Sequence, residues 1–155
     1  MADLDALDTA ILTALQTNAR MSNREVAARV GVSPTTALDR TRALRRRGVI
    51  LGASLDVDLA QVGRAVQALI SVRVRPPSRD VIEAFRDWVS LLPETLGVFV
   101  VSGDVDFIIH VAVADNEALY AFVIDRLTER EEIADVRTTV VYEHLRNPVG
   151  ISPAT

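Results

Sequence analysis

Two helix-capping patterns in residues 22–48 constrain the fold of this chain more than any other feature of its sequence. The run Ser22–Glu25 is a capping box, in which the serine hydroxyl and the glutamate carboxylate each accept a hydrogen bond from the other residue's backbone N–H. The pair Ser33–Pro34 is the second pattern, since serine favours the cap and proline the first helical position. Gly31 and Gly48 can end the two helices in the left-handed conformation. The spacing therefore predicts two short helices joined by a tight turn.

The second of these helices is rich in arginine and has one apolar stripe. The residues of this stripe recur at helical spacing and are Ala37, Leu38, Thr41 and Leu44. Residues 20–47 contain eight arginines and two acids, whereas residues 48–155 contain nine arginines and sixteen acids. A basic segment in a chain of net charge −4 indicates a polyanionic partner. For this helix alone, solvated arginines attracted to the C-terminal end of the helix dipole are an equal alternative.

An amphipathic segment before the two capped helices changes that balance. Its apolar residues recur at intervals of three and four, at Leu4, Leu7, Ile11, Leu12 and Leu15. The pattern predicts a helix that continues to about Ala19. The order of helix, short helix, glycine turn and arginine-rich helix is that of a helix-turn-helix. In such a motif the last helix enters the major groove of DNA and the preceding helix crosses the phosphate backbone.

The chemistry of the side chains divides the predicted DNA contacts into two sets. Small polar groups near the start of the third helix are suited to base edges, namely Thr35, Thr36 and Asp39. The expected phosphate partners are arginines, namely Arg24, Arg40, Arg42, Arg45, Arg46 and Arg47. The first residues of the two capped helices complete the predicted surface, namely Ser22, Asn23, Ser33 and Pro34.

The second half of the chain alternates strand and helix patterns. We expect a domain boundary in the connector Asp56–Gly63, which gives a helix-turn-helix domain over residues 1–63 and a second domain over 64–155. The stretch Val49–Leu55 is predicted to be a hinge strand, so the first domain is of the winged type. Alternating apolar residues predict strands at Ala65–Val74, Val98–Val101, Phe107–Ala114 and Val136–His144. Predicted helices start at Ser78 and at Asp115 or Asn116.

The predicted order of these elements, βαββαβ, defines an α+β fold of the ferredoxin-like type. Four antiparallel strands would carry both helices on one face and leave the other face bare. Apolar residues on both sides of the strands, as in Val98–Val101 and Val140–Val141, indicate that a partner subunit covers the bare face. We therefore predict a homodimer.

Composition excludes several kinds of chemistry. The chain has no cysteine, which rules out disulfides, thiolate zinc sites and cysteine nucleophiles. It also has no lysine, which rules out Schiff-base catalysis. No apolar run approaches the roughly 20 residues that span a bilayer, and the acidic start is unlike a signal peptide. We expect a cytoplasmic protein without a metal or a cofactor.

Six motifs spread over nearly the whole chain resemble the Lrp/AsnC ("feast/famine") family of transcription regulators. They are Leu4–Leu12, Asn18–Asn23, Val30–Thr36, Arg45–Ile50, Val101–Phe107 and Arg137–Val141. The resemblance implies a DNA-binding regulator whose ferredoxin-like (RAM/ACT-like) domain dimerises, assembles further to octamers and binds a small effector, usually an amino acid. Similar proteins that respond to leucine have an aromatic residue where this chain has Thr139, so the resemblance does not imply leucine.

The resemblance also implies an effector pocket between dimers, around the predicted hairpin turn Ser102–Asp106. An aspartate there can accept hydrogen bonds from an α-ammonium group, and a glycine lets backbone amides approach a carboxylate. The alternative is an ordinary turn, since Gly-Asp favours turns in any protein. The candidate effector residues are Val101, Ser102, Gly103, Asp104 and Asp106 of the turn, with Thr138, Thr139 and Val140 of the last strand.

An enzymatic alternative comes from a more distant resemblance to the sirohaem decarboxylases, which share this two-part plan. Their chemistry requires histidine and arginine in a large pocket, and this chain has two histidines, His110 and His144. Both are predicted to lie on strands, where a single histidine is more often a core or interface residue. No other catalytic pattern is present, so we expect no enzyme. The eight arginines of residues 20–47 argue against a third alternative, in which the helix-turn-helix domain no longer binds DNA.

Overall fold

The computed structural model describes residues 4–145 and 147–150, which form two compact units. Of these residues, 4–55, 145 and 147–150 belong to the first unit, and 56–144 belong to the second. The connector at 56–63, which the sequence analysis placed in the first domain, is therefore part of the second unit. Hydrogen bonds link the connector to this unit, since Arg64 N–H donates to the carbonyl of Leu59 at 2.8 Å and Arg64 Nη1 donates to the carbonyl of Pro93.

The first unit contains three helices whose starts are fixed by side-chain caps. They are α1 (Ala6–Thr17), α2 (Asn23–Val30) and α3 (Pro34–Arg46). The predicted capping box is present, with Ser22 N–H donating to Glu25 Oε2 at 2.6 Å and Glu25 N–H donating to Ser22 Oγ at 3.3 Å. The predicted cap of α3 is also present, since Thr36 N–H donates to Ser33 Oγ at 3.1 Å. These local contacts explain why the helix starts could be read from the sequence.

The three helices pack around a small apolar core. Fully or nearly fully buried side chains come from all three helices: Ile11, Leu12, Val26, Ala27, Ala37 and Leu44. Gly31 and Gly48 have φ values of 76° and 71°, the left-handed conformation that lets the chain turn sharply after α2 and α3. The core therefore fixes the angle at which α3 is presented.

The hinge strand predicted at Val49–Leu55 is not formed. Residues 50–58 have no regular secondary structure, and the described part of the first unit contains no β-strand. A strand needs a hydrogen-bonded neighbouring strand, and this segment has none among the described residues. The prediction of a winged domain is therefore wrong for the isolated chain.

The second unit has the predicted ferredoxin-like order. Its elements are β1 (Val66–Val74), α4 (Arg79–Ser90), β2 (Thr95–Val100), β3 (Phe107–Val113), α5 (Asn116–Ala121) with a π-helical continuation (Phe122–Thr128), and β4 (Ile133–Val141). The strands form one antiparallel sheet in the order β2-β3-β1-β4. The predicted α+β fold class, a helix-turn-helix unit followed by a ferredoxin-like unit, is confirmed.

The last strand lies three residues earlier in the chain than predicted, at Ile133–Val141, because its register with β1 sets its ends. Val74 pairs with Ile133 and Gln67 with Val141, so β4 ends before His144. The second strand also begins earlier than predicted, at Thr95, because it pairs with Val111 of β3 across a bulge. The alternation of apolar and polar residues predicted that these strands exist, but the neighbouring strands of the sheet determine where they begin and end.

The two faces of the sheet differ in burial. On one face Ile70, Val72 and Ile109 are fully buried against the helices, which contribute Phe85 and Val89 to the core. On the other face, which we call the open face, Leu69 is 37% exposed and Phe99 58% exposed. Within the described residues, no helix is long and apolar enough to cross a membrane.

Candidate nucleic-acid interface and effector site

Helix α3 has an exposed polar stripe opposite its buried one. The inward stripe consists of Ala37, Thr41 and Leu44, all of which are buried. The outward stripe recurs at intervals of four, three and four residues and consists of Thr35, Asp39, Arg42 and Arg46, all of which are exposed. This stripe presents two guanidinium groups, a carboxylate and a hydroxyl on a surface that no described residue of the first unit covers.

Two of the arginines predicted to contact phosphate are held by acidic side chains of the same unit. Arg40 Nη1 lies 2.6 Å from Asp5 Oδ2 and 3.2 Å from Asp8 Oδ1. Arg47 Nη1 lies 3.0 Å from Asp8 Oδ2. The side chain of Asp8 is only 3% exposed, so these contacts connect α3 to a buried carboxylate on α1. The structure therefore gives Arg40 and Arg47 an internal partner, which the sequence analysis missed.

The protonation chemistry at the start of α1 agrees with this arrangement. The backbone N–H of Asp8 and then the Arg40 guanidinium stabilise the carboxylate of Asp5 and lower its pKa. Asp5 in turn raises the pKa of Arg40. Acids at the start of a helix are favoured by its dipole, which does not by itself indicate an inward-facing carboxylate. The position of Asp8, beside Leu7 and one turn before Ile11 and Leu12 on the apolar side of α1, was the signal that it faces inward.

Four other predicted phosphate partners remain available. Arg24, Arg42, Arg45 and Arg46 are exposed, and none of them forms an ion pair or a hydrogen bond within residues 4–145 and 147–150. Arg24 lies in the first turn of α2, and the other three lie in the second half of α3. Within the described part of the chain, these four guanidinium groups are thus free to contact a partner of the protein.

The polar residues at the helix starts are exposed, but their hydroxyl groups have local partners. Ser33 Oγ and Thr36 Oγ1 lie 2.8 Å apart, and Ser33 also caps α3. Ser22 caps α2, and the neighbouring Asn23 and Pro34 are exposed. Among the three residues predicted to reach base edges, Thr35 and Asp39 therefore point away from the core, whereas the Thr36 hydroxyl is part of the cap.

The turn between β2 and β3 is held by hydrogen bonds on both sides. Val101 N–H donates to the carbonyl of Asp106 at 2.9 Å, and Asp106 N–H donates to the carbonyl of Val72 at 2.9 Å. Asp106 Oδ2 accepts a hydrogen bond of 2.8 Å from the backbone N–H of Val74. One oxygen of Asp106, one of the two candidate ammonium ligands, is thus used to join the turn to the end of β1.

The rest of the turn is open to a ligand. Ser102, Gly103 and Asp104 are exposed, and Gly103 has a φ of 127°. The carboxylate of Asp104 makes no hydrogen bond or ion pair within the described residues. Asp104 is consequently better placed than Asp106 to bind an ammonium group.

The structure does not bring the candidate residues of β4 to this turn within one chain. Three candidate residues of β4 pair with the middle of β1, namely Thr138 with Ile70, Thr139 with Leu69 and Val140 with Ala68. The turn lies beside the C-terminal end of β1, at Val72–Val74. A pocket that includes both groups would need residues from more than one chain, which is the arrangement that the resemblance implies.

The two histidines form an edge-to-face pair in the second unit. Their ring centroids are 5.5 Å apart, and His110 Nε2 lies 3.0 Å from Gln67 Oε1. His110 is on β3 as predicted, but His144 follows the end of β4. Within the described residues, no group of three or more histidine, aspartate or glutamate side chains is arranged to hold a metal ion.

Family models match both units of the chain. An AsnC-type helix-turn-helix domain matches residues 4–45, and an Lrp/AsnC ligand-binding domain matches residues 67–149. The chain belongs to the Lrp/AsnC family. The outward stripe of α3 as far as Arg42 thus lies in the matched helix-turn-helix domain, and the turn between β2 and β3 lies in the matched ligand-binding domain.

The similarity to known regulators covers nearly the full chain. It is 40% identical to the transcriptional regulator AldR of Mycolicibacterium smegmatis over 151 residues, which cover 97% of this chain and 86% of AldR. It is 33% identical to the leucine-responsive regulatory protein of Escherichia coli over 144 residues, which cover 93% and 88% of the two chains. Because these relatives are transcriptional regulators, the protein is a regulator and not an enzyme, and the decarboxylase alternative is set aside.

Solved structures give the same result for the fold. A transcriptional regulator of Neisseria meningitidis, determined in complex with L-methionine, superposes with a TM-score of 0.87 at 29% identity and covers 96% of both chains. The AldR structure of Mycobacterium tuberculosis gives a TM-score of 0.79 at 36% identity, covering 95% of this chain and 97% of that one.

Proposed function

We propose that this regulator binds specific DNA sequences through the outward stripe of α3. The observation that supports the proposal is the division of the arginines of α3. Arg40 and Arg47 hold the helix against α1, while Arg42, Arg45 and Arg46 are exposed and have no ion-pair or hydrogen-bond partner among the described residues. Free guanidinium groups on the exposed side of a rigid helix are suited to phosphate oxygens, and Thr35 and Asp39 are suited to base edges.

The working form is a two-fold dimer that assembles further to an octamer. The open face of the sheet offers Leu69 and Phe99 to a second copy, and exposed Leu51 and Leu55 lie on the segment predicted as a hinge strand. A second copy of that segment would supply the neighbouring strand that it lacks among the described residues. The octamer is an expectation from the family. As a DNA-binding regulator, the protein would act in the cytoplasm.

The effector is an amino acid bound at the turn between β2 and β3, and no cofactor is needed. A relative solved with L-methionine and relatives named for their response to leucine support this class of ligand. Asp104 would accept hydrogen bonds from the α-ammonium group, and the backbone around Gly103 would donate to the carboxylate. Thr138, Thr139 and Val140 would contribute from another chain of the assembly. Asp106 would shape the turn through its bond to Val74.

In vitro selection of DNA from a random library tests this proposal. We expect the chain to enrich a sequence with two inverted half-sites separated by about one helical turn or a multiple of it. The reason is that the two helix-turn-helix units of a two-fold dimer enter the major groove on one side of the DNA. Arg46→Gln should weaken binding to the selected site. Arg79→Gln is the control, since this exposed arginine of α4 lies in the other unit. Failure to enrich any sequence, or equal loss in both variants, would contradict the proposal.

A further inference from the structure

The second unit contains a cleft at the end of the sheet opposite the β2–β3 turn. Its volume is about 440 Å³, within the range typical of small-molecule sites. Its walls are the end of β3 (Ala112–Ala114), the loop at Pro93–Glu94, the residues before β1 (Val62–Arg64), and one side of the helix that begins with α5. None of the residues assigned to DNA or effector binding lines this cleft.

One stripe of that helix lines the cleft and includes two alanines. Ala118, Ala121, Phe122 and Asp125 follow each other at intervals of three, one and three residues and line the cleft together. The helix changes from α to π geometry at Phe122, within this stripe. Single π-helical turns inside α-helices are frequent at functional sites. Alanine at positions 118 and 121 leaves space that a larger side chain would fill.

Four charged side chains line the cleft without pairing with one another. Glu94 and Asp125 supply two carboxylates, and Arg64 and Arg126 supply two guanidinium groups. Within the described residues, no ion pair joins any of the four, and Arg64 donates to the carbonyl of Pro93 instead. Glu94 Oε2 is inaccessible to solvent and has no hydrogen-bond partner among the described residues. A carboxylate oxygen without a donor is costly, and a small rotation of the Glu94 side chain toward the cleft would let a ligand supply that donor.

We propose that this cleft binds a free α-amino acid with an apolar side chain, as a second ligand site separate from the β2–β3 turn. The ammonium group would donate to Glu94 and Asp125, and the ligand carboxylate would accept hydrogen bonds from Arg126 and the remaining N–H groups of Arg64. A zwitterion satisfies both pairs of charges at once, which a simple amine or a simple carboxylic acid does not. Val62, Val113 and Phe122 would contact the apolar side chain.

Two variants test ligand binding in the cleft, a third is their control, and a fourth tests the turn. Glu94→Gln removes one charge at nearly constant size, and Ala121→Leu fills the space from the helix side. Glu117→Gln is the control, because it removes an exposed carboxylate of the same helix that does not line the cleft. Asp104→Asn disables the proposed site at the turn, so that binding at the two sites can be separated.

The experiment is a thermal-shift screen of the twenty amino acids on the full chain, followed by calorimetry of each amino acid that raises Tm. We expect at least one whose Kd rises about tenfold or more in both Glu94→Gln and Ala121→Leu, from loss of a charge-assisted contact and of space. Its Kd should not change in Glu117→Gln or in Asp104→Asn. Isobutylamine and isovalerate, which each lack one charge of valine, should bind more weakly than L-valine.

Two results would overturn the proposal. One is that no amino acid has a Kd that depends on Glu94 and on Ala121. The other is that Asp104→Asn alone abolishes all amino-acid binding, which would leave the turn as the ligand site and the cleft filled by water. The opposite result, binding that depends on the cleft and not on Asp104, would support the cleft and contradict the effector site proposed at the turn.

Discussion

Arg47 Nη1 donates a hydrogen bond of 3.0 Å to Oδ2 of Asp8, which lies 39 residues earlier in the chain. The other oxygen of the same carboxylate accepts from Arg40 at 3.2 Å. Asp8 therefore connects the middle and the end of α3 to α1 from a buried position. The helix that presents the proposed DNA-binding stripe is oriented by this carboxylate as well as by the apolar core.

Replacement of Asp8 by asparagine should destabilise the first unit. The change removes the negative charge that compensates two partly buried guanidinium groups, and we expect a loss of about 2–3 kcal/mol in the free energy of unfolding. Urea denaturation followed by far-ultraviolet circular dichroism measures the change. Asp39→Asn is the control, because Asp39 is exposed on the same unit and forms no ion pair there. Equal stability of the two variants would show that Asp8 does not orient α3.

The first unit should also lose stability in acid. The backbone N–H of Asp8 lowers the pKa of Asp5, and the backbone N–H of Ser22 lowers the pKa of Glu25. A carboxylate whose pKa is lower in the folded state stabilises the fold above its unfolded pKa, and this contribution is lost as the pH falls through the folded value. We therefore expect the loss to begin below about pH 4.5, where unfolded glutamate and aspartate start to protonate.

A pair of variants separates this effect from the general response of carboxylates to acid. Glu25→Gln should lower stability at neutral pH and reduce its dependence on pH between about 5 and 3. Glu117→Gln is the control for the loss of one carboxylate, because Glu117 is an exposed residue of α5 in the other unit and is not part of the capping box. Urea midpoints measured across this range decide the matter. An unchanged acid profile in Glu25→Gln would contradict the role assigned to the capping box.

The two aspartates of the β2–β3 turn should behave differently. Asp106→Ala leaves the backbone N–H of buried Val74 without a partner and should cost about 1–3 kcal/mol of stability. Asp104→Asn should leave stability unchanged and remove the amino-acid response at the turn. Thermal denaturation with and without amino acid measures both effects. If the amino-acid response survives Asp104→Asn and is lost in the conservative variant Asp106→Asn, the ammonium contact belongs to Asp106 and not to Asp104.

The open face of the sheet should hold the dimer. Leu69→Glu places a charge in the middle of this face, where burial against a second copy would be costly. Light scattering at micromolar concentration should then show monomers, whereas the unaltered chain should show dimers or larger assemblies. Leu91→Glu is the control, since Leu91 is 83% exposed and lies after α4. A dimer that tolerates Leu69→Glu would contradict this assignment of the interface.

The helix starts of the first unit could be predicted because they depend on neighbours in the sequence. Ser22 and Ser33 bond to groups three residues away, and their patterns identify both helices. The internal partners of Arg40 and Arg47 could not be found in this way, because they lie more than 30 residues earlier on another helix. Arginine alone does not indicate whether its partner is a phosphate or a buried aspartate.

The second unit shows the same limit. Alternation predicted four strands and their order, but the ends of β4 depend on its register with β1. The role of Asp106 depends on the approach of the turn to Val74, 32 residues away. The π-helical turn at Phe122 and the cleft beside it had no signal that we recognised, since alanines at helical spacing also occur in ordinary packed helices.

The salt dependence of DNA binding tests the central claim most directly, namely that the exposed arginines of α3 bind phosphate while the paired ones hold the helix. The measurement is the slope of log affinity against log salt concentration for Arg42→Gln and Arg40→Gln. We predict that Arg42→Gln reduces the magnitude of the slope by about one unit at unchanged stability, because one phosphate contact is lost. Arg40→Gln should lower the unfolding free energy and leave the slope as it was. A slope that falls in Arg40→Gln and stays constant in Arg42→Gln would contradict the account.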